Sequence, residues 1–396
     1  MATERNAPLV VASGPYISPH FVDTVTRNGW PVLDTGGAAE FGLETTARLA
    51  GAEGLRRAAT HVRDGRILTT GEHALGFVSE HFPDTSAARA AGLFKNKAGF
   101  RRAMEPLFPG LWFEECGAEA LRTLSPDAER YPFVIKPSVG FFSIGVHIVR
   151  SPADWAGVRE TLLAEVAAAS EDFPDHVLNR TRFLLERYVA GEEFAVDACF
   201  DDSGKPIIYN VLQHRYGSED DVSDRLYVSS QSIVENVLPD AAKLLAAVNP
   251  DREIRNFPLH AEFRRTASGD LVPIEVNPLR FGGWCTTGDF AHFAWGFNSY
   301  ELYMNGARPD WQRAFAGRSD REFALVVLDN DTGIPPGEIR GFDYDALLAR
   351  FTRPLHLNRM DYNRFPLFGF LFVETPGKDR SETDWILRAG LREFLR

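Results

Sequence analysis

The chain is poor in cysteine. Its three, Cys116, Cys199 and Cys285, lie far apart and never in a CxxC pair. This excludes a disulfide framework and a structural zinc knuckle, and suits a reducing compartment. A positive excess is also missing: 43 Lys plus Arg stand against 55 Asp plus Glu, a formal net charge of -12. General nucleic-acid binding needs a basic footprint, so that partner is not expected, although a local basic site stays open. No apolar run approaches the roughly 18 residues of a membrane span, so no membrane partner is expected either. The start, MATERNAPLVVASG, has no long apolar core behind a basic segment. No signal peptide is therefore expected, and the setting reads as cytoplasmic. GxxxxGK[ST] and GxGxxG are absent, and GFFSIG at 140–145 is not the GxSxG of a hydrolase elbow.

What is present is globular. At 44% hydrophobic and 25% charged, the composition argues against disorder, and 396 residues allow two or three domains. PLVVAS at 8–13 reads as a buried strand ahead of a Gly14-Pro15 turn. SPHFVDTVTRNGW reads as a helix with Ser18 as N-cap and Pro19 in its first turn, and PVLDTG as a second strand. This βαβ start predicts a small open α/β domain. Glu72-His73 and Glu80-His81 read as exposed helix positions, not metal ligands. Residues 84–108 read as one basic helix, and SPADWAGVRETLLAEVAAAS as a helix capped by Ser151. Strands follow at FLLERYV, EEFAVDACF and PIIYNVL, then a helix near Leu238–Val248 and a hairpin, LHAEFRRT–ASGD–LVPIEVNP. From 311, strands at FALVVLD and FGFLFVE and a terminal helix, DWILRAGLREFLR, either extend the core or form a homodimer surface.

Two stretches carry the chemistry. In YPFVIKPSVGFFSIGVHIV, residues 131–149, two short strands flank a loop bracketed by Gly140 and Gly145. It is either an ordinary hairpin with a surface lysine or a phosphate-covering loop with Lys136 as its point charge. In the second stretch, alternation puts Glu275 and Asn277 on one face of LVPIEVN, and His260, Glu262 and Arg264 on one face of its partner. A turn centred on Ser268-Gly269 pairs Thr266 with Leu271 and sets Glu262 directly opposite Glu275. Like charges so placed, roughly 4.5 to 5.5 Å apart at Cβ, destabilise a sheet. A raised pKa, an arginine (Arg264 or Arg280) or a divalent cation would each offset that. Two carboxylates and an amide oxygen form a hard set suited to Mg²⁺ or Mn²⁺.

Together these stretches resemble the ATP-grasp superfamily over about residues 90–300, its amino-acid and dipeptide ligases most. FVIKPSVGFFSIGV resembles the strand lysine and the loop over the phosphates. LLERYVAGEEFAVD resembles the hinge, and HAEFRR with LVPIEVNP the metal-binding strands ending in ExN. The resemblance implies an α/β chain with an α+β grasp core: a Rossmann-like pre-grasp domain at 1–94, the core at 95–310 and a C-terminal α/β region at 311–396. Within the core it implies a lid subdomain at about 130–187 and a metal-binding subdomain at about 188–310.

It also implies roles for individual residues. Lys97 and Lys136 would contact the phosphates of ATP under the loop of Gly140 and Ser143. The backbone of Arg187 to Val189 would read the adenine edge, with Glu186 at its amino group and Glu193 on the ribose. Glu262, Glu275 and Asn277 would hold Mg²⁺ (or Mn²⁺). Arg280 and Lys136 would stabilise the transferred phosphoryl group, although Leu279 lengthens the usual ExNPR motif by one residue. Arg264, Gly282, Gly283, Trp284 and Asp289 would lie on the substrate side. The implied reaction joins a small carboxylate to an amine through an acyl phosphate, releasing ADP. The alternatives are a phosphotransferase, a ligase with a non-amine acceptor, or a nucleotide-binding protein without catalysis.

Overall fold

The apolar run at Leu9–Ser13 forms β1, buried at every position. The structure is a computed structural model and describes residues 8–43, 48–49, 51–139, 145–169, 181–218, 221, 223–377 and 379–396. The Ser18 hydroxyl accepts from Phe21 N–H at 3.1 Å and starts α1 (Pro19–Asn28), as its sequence predicts. Gly29, with φ 61°, ends it in the left-handed region that favours glycine. β2 (Val32–Gly36), β3 (Arg48–Leu49), α2 (Gly51–Asp64), β4 (Ile67–Thr69) and α3 (Glu72–His81) follow. The strands make a parallel sheet in the order β3-β2-β1-β4, the open α/β start that the βαβ pattern predicts.

The single helix expected over 84–108 is two. α4 (Ser86–Lys95) and α5 (Lys97–Met104) break at Asn96, whose side chain accepts from Gly99 N–H at 2.8 Å. Asparagine is better used as a cap, where it satisfies an orphan N–H, than inside a helix.

A second sheet holds β5 (Phe113–Gly117), β6 (Phe133–Pro137), β7 (His147–Val149) and β8 (Arg182–Arg187), with α6 (Ala118–Thr123) after β5 and α7 (Trp155–Ala169) after β7. Its order is β5-β8-β6-β7, all antiparallel, so this subdomain starts ahead of residue 130. Leu162 and Val166 of α7 pack on Phe133, Ile135 and Phe183. α7 begins at Trp155 because the Ser151 N–H and hydroxyl both bond the Asp154 carboxylate, at 2.9 and 2.8 Å, closing a turn before the helix.

The main sheet has eight antiparallel strands in the order β13-β12-β9-β10-β11-β14-β16-β15. These are β9 (Glu192–Phe200), β10 (Pro206–Arg215), β11 (Leu226–Ser230), β12 (Phe257–Arg265), β13 (Leu271–Pro278), β14 (Arg321–Asp329), β15 (Pro354–Arg359) and β16 (Leu367–Pro376). α8 (Gln231–Val248), longer than its sequence suggested, α9 (Thr286–Trp295) and α10 (Ser299–Met304) complete the frame. One apolar cluster joins Phe94 of α4, Val237 and Leu245 of α8 and Phe290 of α9 to Val196, Val211 and Leu259 of the sheet.

The strands beyond residue 311 extend this sheet instead of standing apart. β14 pairs with β11 from Leu226↔Val326 to Ser230↔Glu322. The expected terminal helix is only Ser381–Ile386, followed after Gly390 by a 3₁₀ turn at Leu391–Phe394. Among the described residues, no helix is long and apolar enough to cross a membrane.

Candidate active site

β12 and β13 pair Glu262 with Glu275 and His260 with Asn277. Nearer the turn the partners shift by one, so that Leu271 meets Arg265 and not Thr266. An extra residue at Ile274 absorbs the difference as a β-bulge. The bulge has a visible effect on the core: Leu271 and Val276, an odd number of residues apart, join the same apolar cluster. Strict alternation would have put them on opposite faces.

The two carboxylates are treated differently by their surroundings. Lys97 Nζ lies 3.0 Å from Glu275 Oε1. Burial works to raise the Glu275 pKa, but Lys97, Lys136 and Lys95 outweigh it and hold the carboxyl below its usual value. Glu262 is pushed well above the usual carboxylate range, by burial first and then by Glu275. Among the described residues, no group of three or more His, Cys, Asp and Glu side chains is spaced to hold a metal. The glutamate pair reaches three donors only with the Asn277 amide oxygen. That hard-oxygen set, with one carboxylate uncompensated, fits a divalent cation such as Mg²⁺.

Lys136 and Glu186 are diagonal neighbours on one face of β6 and β8, since Val134 pairs with Glu186 and Lys136 with Leu184. Lys136 Nζ is 2.7 Å from Glu186 Oε1, and both side chains are buried. Burial lowers the Lys136 pKa, with Glu186 opposing. Burial would raise the Glu186 pKa, but Arg101 and Lys136 bring it to about 2.

Arg101, which the sequence reading did not single out, binds the site together. Its Nε donates to Glu186, and its two terminal nitrogens donate to the carbonyls of Pro273 and Ile274 at 2.6 and 2.9 Å. The bulge thus turns two carbonyls toward one guanidinium. Beside it, Arg102 is exposed, so helical position separates the two arginines.

The hinge is held by charge. Glu193 lies opposite His214 on β10 and opposite Arg264 on β12. It meets His214 Nδ1 at 3.2 Å and Arg264 Nε at 2.9 Å. Burial opposes, but His214 and Arg264 keep its carboxyl at about 2. Arg264 also donates to the Val189 carbonyl at 3.1 Å and covers the Tyr188 ring. Its guanidinium, expected on the substrate side, therefore ties the start of β9 to the Tyr188–Val189 segment. The N–H groups of Arg187 and Tyr188, expected at the adenine edge, are given to the carbonyls of Trp112 and Pro132 at 3.0 and 3.4 Å. Gly140 and Ser143 lie outside the described residues.

The inserted Leu279 takes φ 59°, and its carbonyl accepts from Thr69 N–H at 2.7 Å. This left-handed step returns Arg280 toward the ExN strand, where it donates to Asn277 Oδ1 at 3.0 Å and to Glu72 Oε1 at 2.9 Å. An amide oxygen has two lone pairs, so Asn277 keeps one for a cation. Glu72, read from sequence as exposed, is partly buried and also takes Lys95 Nζ at 2.6 Å. Burial would raise its pKa, but Lys95 and Arg280 hold it at about 2. Lys95 thus serves Glu72 while Lys97 serves Glu275, a division set by the break at Asn96.

Beyond Arg280 the chain turns through Gly283, Trp284 and Cys285, with φ of 52°, 53° and 68°. Three successive left-handed residues, one of them tryptophan, are a costly local conformation of the kind found at functional sites. Gly282 is buried and Gly283 exposed, and the Trp284 ring lies 6.1 Å from that of Tyr16. Tyr16 also lines a cavity of about 490 Å³ between the β1–α1 corner and the end of β15. Asp289 is the last of the residues expected on the substrate side. It is fully enclosed, and its oxygens accept from Ser18 Oγ at 2.9 Å, Tyr300 OH at 2.7 Å and Asn358 Nδ2 at 3.4 Å. It clasps the N-terminal domain, the core and β15 together.

Two lysines, Lys97 and Lys136, thus stand by the opposed glutamates, where the four-stranded sheet of β5–β8 meets the eight-stranded sheet. Residues 129–288 match the family model described as ATP-grasp domain. The fold of the chain is the ATP-grasp fold. It is similar in structure to an L-amino acid ligase from Bacillus licheniformis, with 18% identity, a TM-score of 0.67 and coverage of 100% of this chain and 99% of that one. It is similar also to N5-carboxyaminoimidazole synthase from Aspergillus clavatus in complex with ADP and 5-aminoimidazole ribonucleotide, with 15% identity, a TM-score of 0.64 and coverage of 99% and 100%. A third likeness is to biotin carboxylase from Campylobacter jejuni, with 14% identity, a TM-score of 0.63 and coverage of 95% and 89%. No curated protein sequence matches the chain.

Proposed function

We propose that the protein is an ATP-dependent, ADP-forming ligase that joins a small carboxylate, of amino-acid type, to an amine. The observation that carries this is the Glu262–Glu275 pair, opposed across β12 and β13, with Lys97 on Glu275, the charge of Lys136 acting on it, and Arg280 on the neighbouring Asn277. A carboxylate oxygen is a poor leaving group. Transfer of the γ-phosphoryl of ATP to that oxygen makes an acyl phosphate and releases ADP. The amine then attacks the carbonyl carbon, and phosphate departs with the C–O electron pair.

Each step asks something of this chain. Lys97 and Lys136 bind and orient the phosphates, and their fixed charge stabilises the negative charge that gathers on the transferring group. Glu262, Glu275 and Asn277 would hold Mg²⁺ or Mn²⁺, which supplies Lewis-acid stabilisation at the phosphates. Arg280, already oriented by Asn277 and Glu72, braces the phosphoryl group or the substrate carboxylate. Glu193 supports the hinge and would meet the ribose. The Gly282–Trp284 turn would border the acceptor. The likeness to an L-amino acid ligase over the length of both chains supports amino-acid-like substrates. Three buried free thiols suit a cytoplasmic setting.

The test is nucleotide turnover by purified protein with ATP, Mg²⁺ and pools of amino acids and small carboxylates. ADP and phosphate released only when carboxylate and amine are both present is the expected result. AMP and pyrophosphate would overturn the acyl-phosphate route. ADP without phosphate, alongside a phosphorylated product, would indicate a phosphotransferase.

A further inference from the structure

One pair of side chains beside the cation residues has no part in the reaction above. Asp197 of β9 is fully enclosed. Its Oδ1 bonds His260 Nδ1 at 2.8 Å and accepts from the Gly282 N–H at 3.1 Å, and its Oδ2 has no hydrogen-bond partner among the described residues. His260 sits two residues before Glu262 on β12 and directly opposite Asn277. His260, Glu262, Glu275 and Asn277 are therefore four corners of one patch on the β12–β13 face. Three corners are the oxygen donors. The fourth is the imidazole.

The ring is fixed on two sides. Asp197 holds one nitrogen, and Gly282 presses against its face: a Cβ at Gly282 would fall 2.4 to 2.8 Å from three ring atoms. Since Asp197 accepts, Nδ1 carries a proton, and in the neutral ring Nε2 presents a lone pair. That Nε2 lies 3.7 Å from Glu262 Oε1, beyond hydrogen-bond reach. With Glu262 ionised, as it would be beside a cation, two acceptors look across a gap that neither can close. A group that donates to both would close it. Water on a divalent cation is such a donor, and Mg²⁺ commonly keeps several waters. Mg²⁺ itself prefers oxygen, so the imidazole is better suited to a bound water than to the ion.

We propose that His260, oriented by Asp197, is a positioning residue for the divalent cation, its Nε2 accepting a hydrogen bond from a cation-bound water beside Glu262. The proposal rests on the reading of Glu262, Glu275 and Asn277 as the cation residues. Partners of this kind orient the ligands, and losing one typically weakens metal affinity about 10- to 100-fold.

The experiment is a Mn²⁺ titration of the full chain with saturating ADP, followed by the EPR signal of free Mn²⁺, with no turnover required. In H260N the amide still reaches Asp197 but offers nothing at Nε2, so Mn²⁺ affinity falls about 10- to 100-fold. H260Q restores an amide oxygen near the Nε2 position and recovers part of the loss. D197L touches no cation residue, yet it removes the acceptor that holds the proton on Nδ1, and it lowers Mn²⁺ affinity in the same direction as H260N. Affinity for ADP without metal stays unchanged in all three, and their melting is measured alongside. Wild-type Mn²⁺ affinity in folded H260N and D197L overturns the proposal alone. So does a loss in H260N that Gln does not relieve and D197L does not share, because that is lost packing. A wild-type protein that binds no Mn²⁺ with ADP overturns the cation reading and the proposal with it.

Discussion

Glu262 faces Glu275 across the β12–β13 pair, and Lys97 sits on Glu275 at 3.0 Å while Glu262 meets the His260 imidazole at 3.7 Å. The charge conflict therefore falls on Glu262, whose pKa is raised by burial and by Glu275. A carboxyl whose folded pKa is raised holds its proton longer in the folded chain than in the unfolded one. Stability is then lost as pH rises above the unfolded carboxylate value toward the folded one. E262Q removes that loss. In EDTA at pH 8 its Tm is expected above wild type by about 1–3 °C, with the gap closing toward pH 4. A variant that melts below wild type at pH 8 would show that no such repulsion exists.

E275Q separates binding from chemistry. Lys97 and Lys136 remain to hold the phosphates, so ATP is expected to bind still, by equilibrium dialysis. Turnover is expected to drop by about 100-fold or more, because a cation held at the phosphates contributes several kcal/mol to the transition state. Unchanged turnover would remove Glu275 from the reaction.

Arg101 is the buried tie between α5, β8 and the bulge of β13. R101M leaves Glu186 with Lys136 alone and strands two carbonyls. Breaking a buried pair costs about 3–5 kcal/mol, which urea unfolding would read. R101K keeps the charge but not the planar fork and should recover less than half. A loss under about 1 kcal/mol in R101M would refute the tie, being the size of a surface ion-pair effect.

Asp289 has its pKa raised to about 7, chiefly by burial, with Ser18, Tyr300 and Asn358 opposing. Between about pH 4 and about pH 7 the folded chain holds a proton there that the unfolded chain has released, so stability falls as pH rises through that window. D289N keeps an oxygen for Ser18 and Tyr300 and removes the titration. Its Tm relative to wild type is expected to climb from pH 5 to pH 8. A flat difference across that range would mean the carboxylate does not titrate in the clasp.

The local pieces of this site were legible along the chain. The alternation in LHAEFRRT and LVPIEVNP is enough to put His260, Glu262 and Arg264 on one face and Glu275 with Asn277 on another, because side-chain direction along a strand is set by the backbone alone; that the two glutamates meet also takes the bulge at Ile274. Ser18 as a cap and the βαβ start were legible for the same reason: each depends on groups a few residues apart.

The tertiary structure decided what depends on distant groups. Arg101 and Arg102 are adjacent and chemically identical, and only packing against β8 and β13 buries the first and exposes the second. Glu72 looks like a solvated helix residue until Lys95 and Arg280 close on it. The bulge at Ile274, whose carbonyl takes Arg101, the left-handed step at Leu279, whose carbonyl takes the Thr69 N–H, and the Asp197–His260 contact all join segments separated by many residues. So does the union of residues 311–396 with the central sheet. Periodicity along the chain carries no information about such pairings, because their free energy comes from burial and hydrogen bonds made only once the strands have met.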